Sequence, residues 1–257
     1  MKPSELAWPR RGTLPPESPL LAQWLLTEGA GAVAAANVGG AGINMALTGA
    51  PPQISWGASA AGAEIDYDGT LPALLAAPMV APLVIDIHGS DLNTVTYEMV
   101  YKCSGSGGQC IFSMGQDGVA GIEMLWVPGN FFRLQALRCD DDLGNGNNSA
   151  TWLQPTALAS LGLTVIHAVI ELPANTCTVY LDGVALPVTL LDGHGNHFNG
   201  LDGVASLALN DRSGFPGDDP CTGGHAYFAM YDGALSAVQC AAHAAALLLD
   251  NDVSPVP

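Results

Sequence analysis

The stretch Ala61–Thr70, AGAEIDYDGT, places three carboxylates at alternate positions. In a strand, residues i, i+2 and i+4 point to one face. Glu64, Asp66 and Asp68 would then align, with Ile65 and Tyr67 behind them. Two carboxylates about 5 Å apart suffice for retaining glycoside hydrolysis. The stretch is therefore either a catalytic strand or the acidic end of an ordinary one. Asp68-Gly69 favours the second reading, because Asp-Gly is turn chemistry.

Other residue types that could do chemistry are sparse. Asp192, His194 and His197 bring two imidazoles and a carboxylate within six residues, ligands that suit transition metals. A glycine-rich loop that carries harmless histidines is the simpler account. His167 lies in a strand-like run and reads as a satisfied structural histidine. The acidic loops 211–219 and Asp140–Asp142 could offer oxygens to a cation, although solvated loops are the plainer reading. Among aromatics, Phe198 and Phe215 sit in Gly/Asn/Asp-rich loops, with Asp218 and Asp219 close to the second. These four are the candidate glycan-binding residues, aromatic faces for stacking and carboxylates for hydroxyls.

The six cysteines are Cys103, Cys110, Cys139, Cys177, Cys221 and Cys240. None forms C-x-x-C or shows zinc-finger spacing. An even count suits disulfides, whereas a chain without a leader suits a reducing place of synthesis. Cys103 and Cys110 flank a Ser/Gly-rich loop that reads as a hairpin. If any disulfide forms, facing positions in such a pair bring these two within bridging distance.

Composition sets the frame for these residues. The chain has 257 residues, 49% hydrophobic and 12% charged, with 31 Gly and 18 Pro, enough for one large all-β domain with a core. The formal net charge is −17. Lys2, Arg10 and Arg11 are three of seven basic residues, and only Lys102, Arg133, Arg138 and Arg212 follow. Nucleic-acid binding needs a basic footprint, which is absent beyond the first eleven residues. No run of eighteen apolar residues would insert in a membrane as a helix. The N-terminus, broken by Pro15, Pro16 and Pro19, does not read as a signal peptide.

Residues 1–20 read as an extended Pro-rich arm, 21–250 as the folded domain and 251–257 as a tail. Within the domain, Asp-Gly recurs at Asp68, Asp117, Asp182, Asp192, Asp202 and Asp232, which is hairpin punctuation. Strands are expected at 95–102, 109–115, 122–127, 131–138, 163–172, 177–183, 204–210 and 225–232. Several alternate apolar and polar residues, and others are apolar on both faces. One helix is expected near the end, where Ser236-Ala237-Val238-Gln239 is a capping-box pattern before an alanine-rich run. Leu235, Val238, Ala242, Ala245 and Leu249 share one face at helical spacing.

The order of these segments resembles the concanavalin A-like lectin/glucanase superfamily, in particular its laminin-G-like (pentraxin-like) modules. The matching segments are Ala22–Gly31, the small-residue loop Asn37–Asn44 with Leu47-Thr48-Gly49, Ala63–Thr70, Val95–Lys102, His167–Val184 and Met230–Val238. The resemblance implies a two-sheet antiparallel jelly-roll sandwich with one short C-terminal helix. It also implies a calcium ion at the rim, with Glu28 and Asn37 as matching ligands and Ala226 where the family has an Asp. Glu64-Ile65-Asp66 is similar to the first half of the family 16 glycoside hydrolase motif, whose general acid/base Glu is missing here.

These readings lead to a non-enzymatic surface or adhesion protein. The expected setting is a virion, as a bacteriophage decoration, head-fibre or tail-associated component. The arm would dock on a capsid or other virion protein and the sandwich would meet host-surface glycans. No nucleic acid is expected as a partner, and a homo-oligomer is compatible with the sequence. The expected location is the virion surface or the extracellular space after lysis. The alternatives are a free carbohydrate-binding lectin module and a family 16-like glycoside hydrolase.

Overall fold

Side chains along residues 94–103 alternate between two apolar environments, and that alternation sets the layers. Val95, Tyr97, Met99, Tyr101 and Cys103 enter one buried cluster. Val100, on the opposite face, enters a second. The computed structural model describes residues 20–34, 44–49, 51–70, 74–78, 94–103, 109–116, 120–127, 131–140, 148–153, 161–171, 174, 176–193, 197–198, 206–210 and 222–250. Within them the chain forms two antiparallel sheets and one helix.

Eighteen strands are present among the described residues. They are β1 (Leu20–Trp24), β2 (Val33–Ala34), β3 (Met45–Thr48), β4 (Ile54–Ser59), β5 (Gly62–Asp68), β6 (Leu74–Pro78), β7 (Thr94–Cys103), β8 (Gln109–Gln116) and β9 (Ala120–Val127). There follow β10 (Phe131–Asp140), β11 (Asn148–Leu153), β12 (Leu161–Glu171), β13 (Thr176–Leu181), β14 (Val184–Leu186), β15 (Thr189–Gly193), β16 (His197–Phe198), β17 (Ser206–Leu209) and β18 (Thr222–Asp232). The first sheet runs β14-β13-β12-β7-β18-β5-β4. The second runs β15-β11-β10-β9-β8-β17-β6-β3-β2, with β16 beside β10. All eight strands expected from the sequence are present.

β18 organises the first sheet. One of its edges pairs with β7 along most of its length. The other is shared: β5 takes the first part, with Thr222 opposite Asp68, and β1 takes the last, with Phe228 opposite Trp24. A register shift between His225 and Tyr227 puts Ala226 and Tyr227 both in the cluster on the outer side. Such bulges re-aim side chains without ending the strand. Between the sheets, Trp24, Tyr97, Phe112 and Phe228 pack with ring centroids 4.7–6.4 Å apart.

The helix α1 (Ala237–Leu247) begins with the expected capping box, in which the Ser236 hydroxyl accepts from Gln239 N–H and Gln239 Oε1 accepts from Ser236 N–H. Its buried face differs from the expected one. Gln239, Cys240, His243, Ala244 and Leu247 are buried, whereas Val238 is 69% and Leu249 83% exposed. Alanines fill much of the helix and blur the apolar stripe, and the buried stripe itself carries Gln239 and His243. The β13–β14 turn meets α1 closely: a Cβ on Gly183, at φ +78°, would lie 2.5 Å from Ala241 Cα. Asp182 and Gly183, both at positive φ, form the turn that their Asp-Gly sequence promised.

The expected Cys103–Cys110 hairpin does not exist. Cys103 ends β7 in the first sheet, and Cys110 lies in β8 of the second, paired with β9. The two are therefore not facing positions of one ladder. Cys103, Cys110, Cys177 and Cys240 are all buried.

Candidate functional site

The acidic strand resolves into two roles. Ile65 and Tyr67 point into the core between the sheets, as alternation requires. Asp68 closes β5: its Oδ1 accepts from Thr70 N–H at 2.8 Å and from the Thr70 hydroxyl at 2.6 Å. Gly69, at φ +81°, lets the chain turn away there. Asp68 is thus a turn residue. Glu64 and Asp66 remain on the outer face of the first sheet.

Lys102, two strands away on β7, reaches both. Its Nζ lies 2.6 Å from Glu64 Oε1 and 2.6 Å from Asp66 Oδ1. The two oxygens are therefore no farther apart than twice that distance. Glycine makes the reach possible. Gly224 stands in β18 between Lys102 and Asp66, and a Cβ there would lie 3.0 Å from Lys102 Cε and 2.7 Å from Ile65 O. A Cβ on Gly57, in β4, would run into the Asp66 carboxylate. Both long side chains thus lie flat on bare backbone. Glu64 is buried, while Asp66 and Lys102 are each about one-third exposed. Burial pushes the Glu64 carboxyl above the ordinary range and neighbouring Asp66 adds to this, with Lys102 opposing. Burial works against the Lys102 charge, but the bonds from Asp66 and Glu64 outweigh it and raise its pKa.

A second polar centre lies on the same outer face, beneath α1. Glu98 Oε2 is 2.8 Å from His167 Nε2, on β12, and 2.6 Å from His243 Nδ1, on α1. Glu98 Oε1 accepts from the Tyr231 hydroxyl at 2.9 Å. Tyr231 and Tyr227 are hydrogen-bonded, and Gln23 Nε2 donates to the Tyr227 hydroxyl at 3.0 Å. The sheet register brings these residues together, since His167 stands opposite Glu98, which stands opposite Ala229. Every member of the centre is buried. Burial alone would push the Glu98 carboxyl up, but the hydrogen bonds from His167 and His243 outweigh it and hold it well below the usual range.

The sequence had singled out His167 as a satisfied structural histidine, and it does bond Glu98. It had not singled out Glu98 or His243. The available signal was Glu98 itself, a single carboxylate inside the otherwise buried run Val95–Val100. Of the candidate glycan-binding residues, Phe198 lies in β16 at the β10 flank of the second sheet, away from the Glu64–Asp66–Lys102 array on the first. Phe215, Asp218 and Asp219 lie outside the described residues, as do Asn37, His194 and Asp141–Asp142. Of the calcium positions implied by the family resemblance, Glu28 is exposed at the rim after β1. Ala226 is fully buried on the helix side and offers no side-chain oxygen. Glu28 is therefore the one described residue of that set with a side-chain oxygen.

No family model and no curated protein matches the chain. Solved structures do match its fold. The binding domain of Paraclostridial Mosquitocidal Protein 1 aligns with a TM-score of 0.64 at 9% identity, over 88% of this chain and 52% of that one. The botulinum neurotoxin serotype G binding domain aligns at 0.60 and 8% identity, over 88% and 50%. The Trypanosoma rangeli sialidase in its covalent-intermediate complex aligns at 0.57 and 9% identity, over 89% and 33%. The chain spans about half the length of the toxin-domain chains and a third of the sialidase chain. The shared feature is the two-sheet β-sandwich.

Proposed function

We propose that the protein is a non-enzymatic glycan-binding sandwich that works at a surface. The observation that carries this reading is the Glu64–Lys102–Asp66 array. Buried Glu64 anchors the ammonium, and the half-buried Asp66 and Lys102 present an acceptor and a donor at fixed spacing. Neighbouring sugar hydroxyls need such a pairing of acceptor and donor. Two carboxylates against one ammonium leave the array with one net negative charge, and the whole chain is acidic. Both features favour neutral glycans over sialylated ones. The sandwich likeness to toxin binding domains, one of them solved in complex with SialylT, supports the class of ligand and not its identity.

The finer setting within this reading is a bacteriophage decoration, head-fibre or tail-associated protein. Residues 1–20 would dock on a virion protein. A calcium ion held by Glu28 and the loop that contains Asn37 would order the rim. Hard oxygen donors suit that ion.

A glycan array probed with the full chain tests the class. Binding to neutral glycans should be lost in Asp66→Ala while the fold is kept. No bound glycan, or binding indifferent to Asp66→Ala, would remove the reading. Co-purification with particles tests the setting. A rise in Tm at millimolar calcium after chelation, lost in Glu28→Ala, tests the ion.

One observation favours a glycoside hydrolase as the second reading: a buried carboxyl held above its usual range beside a second, more exposed carboxyl. Against it, Glu64 Oε2 is sealed from solvent and makes no hydrogen bond, and Lys102 stands between the pair. Release of reducing ends that is lost in Glu64→Gln would favour the enzyme.

A further inference from the structure

We propose that Glu98, His167 and His243 form a closed binding site for a divalent transition metal of the zinc type, which fastens α1 to the first sheet. The three ligand atoms lie within 4.8 Å of one another, and all three residues are buried. One carboxylate and two imidazoles suit zinc, cobalt and nickel better than calcium or magnesium.

Charge provides the first argument. A buried carboxylate needs a compensating cation. Among the described residues with described side chains the basic one is Lys102, and its Nζ lies 2.6 Å from both Glu64 and Asp66. The donors that meet Glu98 are two imidazoles and a tyrosine hydroxyl. A divalent ion held by Glu98 and the two imidazoles would place positive charge directly beside this buried carboxylate.

The helix provides the second argument. The buried face of α1 offers Gln239, Cys240, His243, Ala244 and Leu247, with Leu247 as its one large aliphatic side chain. Apolar burial alone gives so alanine-rich a helix little purchase. A metal bridge between His243 on the helix and Glu98 and His167 on two strands supplies the missing attachment. Cys240, on the same face one turn before His243, has its Sγ turned to the Leu235 carbonyl at 3.9 Å. Its Sγ is not among the three clustered ligand atoms.

Geometry needs a small adjustment. Zinc ligands stand about 2.0–2.2 Å from the ion, so tetrahedral neighbours lie roughly 3.2–3.5 Å apart. The present 2.6 and 2.8 Å contacts must open by a few tenths of an ångström or more each. The ion then takes the lone pairs of His167 Nε2 and His243 Nδ1, and each ring proton moves to its other nitrogen. His167 Nδ1, buried and without a hydrogen-bond partner, receives one of them.

The test uses full-length protein purified without an affinity tag. Elemental analysis should find about one zinc per chain, and chelation followed by zinc or cobalt should lower and then restore Tm. The cobalt form should show visible bands of a four-coordinate ion. His243→Ala and His167→Ala should each weaken zinc binding by at least ~100-fold, beyond the usual effect of losing an outer-shell partner. His225→Phe, which alters a buried histidine outside the centre, should leave it unchanged. Should the alanine variants fail to fold, Glu98→Gln and the wild-type cobalt spectrum carry the test. Wild-type protein with no bound metal, and no Tm response to zinc, cobalt or nickel, would overturn the site. Glu98 would then be held by the hydrogen bonds from His167, His243 and Tyr231 alone.

Discussion

His243 Nδ1 lies 2.6 Å from Glu98 Oε2, so the helix meets the middle of a sheet through a buried polar contact. In chelator-treated protein, His243→Ala should cost about 2–4 kcal/mol, the sum of a cavity and a lost donor to a buried carboxylate. Val238→Ala on the exposed face should stay within about 0.5 kcal/mol. Chemical denaturation of both variants checks the difference, and equal losses would mean that the helix docks by another face.

His225 is fully buried, with its ring 5.6 Å from Tyr67 and 4.8 Å from Tyr101. Burial lowers its pKa to about 3, with the Ile111 backbone opposing. The unfolded chain binds this proton near pH 6.5 and the folded one does not, so its contribution is complete above 6.5. Stability should fall as pH drops from 6.5 towards 3, by up to a few kcal/mol. Denaturant midpoints measured across that window should vary less in His225→Phe, which cannot take up the proton.

Lys102→Met removes the ammonium between Glu64 and Asp66. The Glu64 carboxyl, already raised by burial, should rise further. A raised carboxyl favours the folded state while protonated, and that advantage is lost as pH rises through its folded value. The variant should therefore be destabilised at pH 7 and recover towards pH 4. A pH-independent loss would mean that Lys102 acts through its aliphatic stem.

Gly224→Ala puts a methyl against Ile65 O and the Lys102 side chain. It should cost about 1–3 kcal/mol, as overpacking does, and displace Lys102 from Asp66. Glycan binding and thermal stability should fall together in this variant, whereas Asp66→Ala should lose binding with a stability change within about 1 kcal/mol.

Cys103 and Cys110, buried in different sheets, predict that both thiols react with a thiol reagent only after denaturation. A linked Cys103–Cys110 peptide in unreduced digests would contradict this arrangement.

Strand positions were legible because apolar runs between Asp-Gly and Asn-Gly turns leave little choice of period. The capping box at Ser236 was legible for the same local reason. Pairing across distance was not. A Ser/Gly-rich sequence looks alike whether its flanking strands pair or stand in different sheets, and Cys103 and Cys110 stand in different sheets. The role of Asp68 was visible in Asp-Gly, but the Glu64–Asp66–Lys102 array needed β18 to place Gly224 between them. Glu98 is 69 residues from His167 and 145 from His243, so no local spacing could join them. An exposed Val238 and a buried His243 on one helix show why alanine-rich periodicity misassigned its face.

The pairing of β1 and β5 along one edge of β18 has a kinetic consequence. Residues near position 20 find their partners some two hundred positions later, as the 204-residue separation of Gln23 and Tyr227 shows. During synthesis the first strand must wait, unpaired, until β18 has been made. Such non-local closure places folding in the slow millisecond-to-second range and leaves the waiting edges open to other chains. The last strand thus acts as the keystone of the first sheet: truncation before Thr222 should leave β1, β5 and β7 without their common neighbour and yield aggregation instead of a smaller sandwich.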